Sequence, residues 1–138
     1  MAQLPDRKLL DVIRADGRYP PEAYAFLLNE VWPKAVREAH EKDPSRPAAP
    51  EPAAPMHLHG SEICLAAKDL AIEKWGMLAK IVLNKWNIRQ TIDFGNMVYL
   101  LISHNMLSKT EEDSLEDFRN VYDFDEAFRQ SAEFDLKE

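Results

Sequence analysis

Residues 57–94, HLHGSEICLAAKDLAIEKWGMLAKIVLNKWNIRQTIDF, carry the longest apolar pattern in the chain, and its period is helical. With Ser61 as N-cap and Glu62 in the first turn, Ile63, Ala66, Ala67, Leu70, Ala71, Met77, Leu78, Ile81 and Val82 fall on one broad stripe. Such a stripe has to be covered, and it has room for several large side chains, so other helices are expected to pack around it. Gly76 interrupts the pattern at a cost of roughly 1 kcal/mol relative to Ala. It implies either the close approach of another element or a break between two shorter helices.

The flanking text also reads as helix. Residues 6–15 place Leu9, Leu10 and Ile13 on one face after Asp6 as cap, and Gly17 stops them. In RYPPEAYAFLLNEVW the prolines suit an entry turn and a first helical position, with Glu22 favoured by the helix dipole and Tyr24, Leu27, Leu28 and Val31 facing inward. Pro33 predicts a kink or break, followed by a polar final segment at 34–40 in which His40 is a solvated charge. After NIRQ, Thr91 is expected to cap a helix with Asp93 in its first turn and an inner face of Phe94, Met97, Val98, Leu101 and Ile102, ending near Asn105. Thr110 with Asp113 resembles a capping box that opens a last helical region. There Leu115, Phe118, Val121, Tyr122, Phe124 and Phe128 pin an otherwise acidic segment.

No internal repeat is evident, and no alternation of β-branched residues is strong enough for a strand. The expected fold is therefore mainly α, a compact single-domain bundle of about five helices over 1–138. It has a Pro/Ala-rich connector at 43–55 and an acidic C-terminal region at 111–138. DPSRPAAPEPAAP favours extended polyproline geometry and reads as a semi-rigid spacer reaching from one side of the domain to the other. The alternative fold has a small β-hairpin at 106–108, which would make the helix at 91–104 the reading helix of a winged-helix domain.

Charge and hydropathy then exclude several classes. A chain of 138 residues that is 46% hydrophobic and 30% charged is too apolar for disorder and too interrupted by charge to span a membrane. The N-terminus MAQLPDRKLL is charged where a signal peptide would be apolar, so a cytoplasmic location is expected. Of the net charge of −7, residues 111–138 carry −8, from eleven acidic and three basic residues, which leaves about +1 elsewhere. Nucleic-acid binders use a basic face to neutralise phosphates, and no Lys/Arg cluster here has that density.

Chemistry is sparsely written. The best constellation is His57, His59 and Glu62, two imidazoles and a carboxylate able to hold a divalent transition metal if Asp93, His104 or Asp113 joins them. Against it stands the simpler reading of a capped helix N-terminus. Asp93-Phe94-Gly95 spells the magnesium triplet of protein kinases, but the chain is about half the required length and lacks the phosphate loop, so the triplet is set aside. The tryptophans at 32, 75 and 86 read as packing first, and Cys64, the only cysteine, as a packed side chain. No nucleophilic triad or phosphate cradle is present, and no cofactor is implied.

GRYPPEAYAFL, the 57–86 region, TIDFGNMVYLLI and KTEEDSLEDFRNVYDFDEAF together resemble an uncharacterised bacterial family known mainly from planctomycete and verrucomicrobial genomes. The resemblance covers nearly everything outside the connector. In that family the segment before the long helix more often reads Arg-His-hydrophobic-small-Gly. Here His57 and Gly60 match and His59 departs, which weakens a metal site needing both histidines. The resemblance implies no activity, substrate or cofactor.

The expected function is that of a small protein that binds another protein, or a second copy of itself, without catalysis. The alternatives are a metal-binding protein or enzyme using His57, and a winged-helix regulator.

Overall fold

The computed structural model describes residues 7–46, 58–107 and 114–128. Helix α1 (Arg7–Asp16) buries Leu9 and Ile13 and stops where Gly17, at φ +76°, returns its N–H to the Ile13 carbonyl at 3.0 Å. Pro20 is extended and Pro21 opens α2 (Pro21–Phe26), as their lack of an N–H and fixed φ dictate. The break expected at Pro33 is absent. A π-helical turn (Leu27–Val31) runs straight into α3 (Trp32–Lys42), and the Trp32 N–H reaches back five residues to Leu27. That wider turn relieves the clash a proline ring makes with the carbonyl four residues earlier.

The long pattern forms α4 (Gly60–Trp75), a 3-10 turn (Gly76–Leu78) and α5 (Ala79–Lys85). Of the two roles open to Gly76, the break is the one observed: its φ of +52° and ψ of −124° lie where a Cβ is not tolerated. Ser61 is not the cap of α4. The Glu62 carboxylate accepts the His59 N–H at 2.8 Å, which makes Glu62 the third helical residue and moves the cap back to His59. Likewise the cap of α6 (Thr91–Ser103) is Gln90, whose N–H reaches Asp93 at 2.9 Å, and Thr91 is freed to turn inward.

Both α5 and α6 end on left-handed asparagines. After α5, Asn87 (φ 66°) and Ile88 donate to Asn84 and Leu83, each at 2.9 Å; after α6, Asn105 (φ 60°) and Met106 donate to Ile102 and Leu101 at 3.0 and 2.8 Å. These paired bonds are Schellman closures, which require a residue tolerant of positive φ. With its N–H committed to Leu101, Met106 does not start the hairpin expected at 106–108; Ser108 lies outside the described residues.

The fold is mainly α. Taking α2, the π turn and α3 as one unbroken helix, five helices form among the described residues, with a 3-10 turn (Leu115–Phe118) and a helical turn at 124–128 behind them and no strand. The winged-helix alternative fails here. Thr91, Phe94, Gly95, Met97, Val98 and Leu101 of α6 are buried and the helix has no Lys or Arg, so it offers no basic face to a groove.

Helix α4 is the hub, touching the π turn, α3, α5, α6 and the 115–118 turn. Its buried face was expected to carry several large side chains, yet apart from Ile63 it consists of Gly60, Cys64, Ala66, Ala67 and Ala71. A thin helix lets many neighbours come close. Those neighbours supply the bulk: Tyr24, Phe26, Leu27, Phe94, Met97, Leu101 and Phe118 are all at most 2% exposed. Each such side chain contributes about 1.5–3 kcal/mol by burial. Phe26, Trp75 and Trp86 close the far end, with ring centroids 5.2, 5.6 and 5.7 Å apart, consistent with tryptophans used for packing.

The acidic C-terminal segment is pinned as far as Phe128. Phe118, Phe124 and Phe128 are buried, and the Tyr122 hydroxyl donates to the Cys64 carbonyl at 2.8 Å. Two glycines admit this segment. A Cβ on Gly60 would stand 2.8 Å from the Asp117 carbonyl, and one on Gly95 would stand 2.7 Å from Phe118 Cγ. Thr91 completes the clasp, donating to the Phe118 carbonyl at 2.6 Å and accepting the Val121 N–H at 3.1 Å. The start of this region is set by Ser114, which accepts the Glu116 N–H at 3.2 Å. The box expected from Thr110 and Asp113 lies outside the described residues.

Candidate functional site

At the front of α4 the carboxylate of Glu62 is already engaged. Arg46 grips it through two bonds, Nη1–Oε2 at 2.8 Å and Nη2–Oε1 at 3.0 Å, while the His59 backbone N–H adds a third. Burial alone would raise the Glu62 carboxyl, but the Arg46 and His59 hydrogen bonds and the Arg46 charge hold it below the ordinary glutamate value. The same contact joins Arg46, within the connector read at 43–55, to the first turn of α4; residues 47–57 lie outside the described residues. His40 is not a free solvated charge, since its Nδ1 lies 2.7 Å from the Arg46 carbonyl, to which it donates. His59 is exposed at the cap, and His57, the first-named ligand candidate, falls among the residues not described.

Asp93 is likewise occupied. Its Oδ2 accepts the N–H groups of Arg89 at 2.8 Å and Gln90 at 2.9 Å, and its Oδ1 accepts the Tyr19 hydroxyl at 2.6 Å. Asn96 in turn donates to the Tyr19 oxygen at 3.1 Å. Burial, then the bond to Asp93, pushes the Tyr19 phenol well above its usual range. This network ties the loop after α1 to the start of α6. Gly95, the last letter of the kinase-like triplet, is the floor under Phe118. Glu62 and Asp93 therefore sit in separate structural networks, and among the described residues no three His, Cys, Asp or Glu side chains converge as metal ligands. Cys64 is fully buried, and burial drives its thiol far above the usual range, as a packed side chain requires.

The surface feature that sequence reasoning missed lies just after the Gly76 break. Met77, Leu78 and Ile81, assigned above to the inner stripe, are 46, 54 and 64% exposed, while Ala79 and Leu83 are buried in their place. The signal was Gly76 itself: a break resets the helical phase, and a single stripe drawn through it assigns the following residues to the wrong face. A polar cleft of ≈ 580 Å³ opens between α5, the start of α6 and residues 120–125, with Lys80, Asn84, Arg89 and Gln90 on one wall and Asn120 and Asp123 on the other. Lys80 is paired across its mouth with Asp125.

Comparison with protein-family models, with curated proteins and with solved structures gives no match for this chain. Among the described residues no helix is long and apolar enough to cross a membrane.

Proposed function

We propose that this chain works by binding another protein, without chemistry of its own, and that the contact is made at the turn from Gly76 into α5. One observation carries the reading: three large aliphatic side chains, Met77, Leu78 and Ile81, stand exposed within two helical turns. Single exposed apolar residues are ordinary, whereas a contiguous group marks a contact surface. The carboxylates that would serve catalysis or metal binding, Glu62 and Asp93, are engaged in capping and ion pairing. Membership of the bacterial family that the motifs resemble, and a cytoplasmic setting, belong to the same proposal.

The test is a photo-reactive benzoylphenylalanine placed at position 81 and, as control, at exposed Lys8 or Glu41, followed by irradiation in native lysate. A discrete adduct is expected from position 81 and not from the controls. No adduct from position 81, together with a monomer at micromolar concentration, would overturn the reading.

A further inference from the structure

Resting on that reading, we infer that the surface made by α5, its preceding turn and the adjoining cleft takes an acidic segment of a partner protein that carries apolar anchor residues. The sequence around it is unlike the rest of the chain. Residues 74–89, KWGMLAKIVLNKWNIR, hold Lys74, Lys80, Lys85 and Arg89 and no acidic residue. Against a total of −7, that +4 leaves −11 on all other residues. The positive potential is thus local and coincides with the exposed apolar group.

Ile81 and Lys85, one turn apart, share a face of α5. Lys80 and Asn84, one turn apart, line the cleft, and Ile81 and Lys85 follow each of them by one residue, about 100° around the helix. Lys74 pairs with Glu30 and Lys80 with Asp125, but no ion-pair partner for the Lys85 ammonium or the Arg89 guanidinium occurs among the described residues. The cleft also has acidic walls: Asp125 is matched by Lys80, and Asp123 accepts the Glu126 N–H at 2.9 Å.

The chain's own C-terminal segment already meets α5 through one carboxylate. In DFDEAF at 123–128, Phe124 and Phe128 are 5 and 4% exposed, and the intervening Asp125 pairs with α5 through Lys80. Phe124 and Phe128 pack with Tyr122 in the core, Asp125 is matched by Lys80, and the unmatched charges are Lys85 at the end of α5 and Arg89 in the connection to α6. Other occupants fit less well. Unpaired nucleic acid needs exposed aromatic rings for stacking where this patch is aliphatic. A stable dimer buries about 800 Å² per partner, against on the order of 300 Å² offered by three such side chains.

The probe is a fluorescein-labelled 14-residue peptide alternating Asp/Glu with Phe/Leu, titrated by anisotropy with the full chain. Controls are the Asn/Gln counterpart, the Lys counterpart and phosphatidylserine vesicles. The acidic peptide is expected to bind at least tenfold more tightly than either counterpart, to lose at least tenfold with Ile81→Asp or with Lys85→Glu plus Arg89→Glu, and to weaken as salt rises. Thermal melts confirm that the variants fold, and Ile81→Gln replaces Ile81→Asp if it does not. Equal binding of acidic and amide peptides, indifference to the variants, binding of vesicles but not peptide, or no binding overturns the inference. If position 81 still crosslinks a partner in lysate while the acidic peptide fails, only the partner chemistry is wrong; if both fail, the binding reading falls with it.

Discussion

Gly95→Ala isolates the contact that clasps the C-terminal segment to the core. A Cβ at this position would stand 2.7 and 2.8 Å from Phe118 Cγ and Cβ and 2.9 Å from Leu115 Cδ1, where unstrained carbons keep about 3.5–4.0 Å. Phe118 cannot swing aside cheaply. The atoms approached are those nearest its backbone, and its carbonyl is tied to Thr91 at 2.6 Å. Overpacking of this kind costs typically 1–3 kcal/mol, offset by about 1 kcal/mol because alanine favours the helix. A net loss of up to about 2 kcal/mol is expected, or up to about 8 °C in Tm at this chain length. Calorimetry on Gly95→Ala, Phe118→Ala and the double variant checks it, since Phe118→Ala removes the Cγ contact at 2.7 Å and leaves the Cβ contact at 2.8 Å. In the Phe118→Ala background the same substitution should lose less than in the parent, a coupling of about 1 kcal/mol. A Gly95→Ala variant that melts higher than the parent, or loses equally in both backgrounds, would refute the packing argument.

Thr91→Val removes a buried hydroxyl that serves two backbone groups, Phe118 C=O and Val121 N–H. It should cost about 2–4 kcal/mol by urea unfolding, with Thr91→Ser, which keeps the hydroxyl, losing much less; a Val variant equal to the parent would mean the hydroxyl holds nothing. Glu62 has a folded pKa below its ordinary value of 4.5, so the unfolded chain binds more protons as the pH falls through that interval. Its contribution is therefore present above the unfolded value and lost as pH drops through the folded one. Glu62→Gln should flatten the acid limb of a stability-versus-pH curve below about 4.5, and an unchanged limb would count against it. Gly76→Ala forces a side chain into a glycine-only conformation at about 1–3 kcal/mol, and a thermal melt identical to the parent would show that the break is not held there.

The helices were legible because their signals are local. Apolar period, the Pro20–Pro21 entry, Gly17 and Asn105 each act within a few residues, and the structure places them as read. The caps were read one or two residues late, since Ser61 and Thr91 are strong generic caps. What decides the outcome is the carboxylate three residues downstream of His59 and Gln90. Pro33 was misread because a lone proline gives no sign that the preceding turn is wide. The contacts of Gly60 and Gly95 with the 115–118 turn, and of Arg46 with Glu62, join residues far apart in the chain. Nothing in a single sequence encodes such pairings. Of the candidate site residues, Glu62 and Asp93 are used by the fold for capping.

The break at Gly76 bears on function as well as form. Had α4 continued unbroken, the buried positions Ala67 and Ala71 would be followed on the same face by Leu78 and by Ile81 or Val82, at steps of seven, ten and eleven residues. That helix would bury its large aliphatic residues. The observed chain instead adopts a glycine-only conformation, turns Met77, Leu78 and Ile81 outward, and brings Ala79 inward beside Leu83. On the order of 300 Å² of apolar surface left in water forgoes several kcal/mol at about 25 cal/mol per Å². Core packing gives a reason for closing α5 against Trp75 and Trp86 but none for clustering the exposed residues with Lys85 and Arg89. A partner that covers the cluster and matches those charges supplies the missing term, which is why substitutions at Ile81 should leave the melting temperature nearly unchanged while abolishing binding.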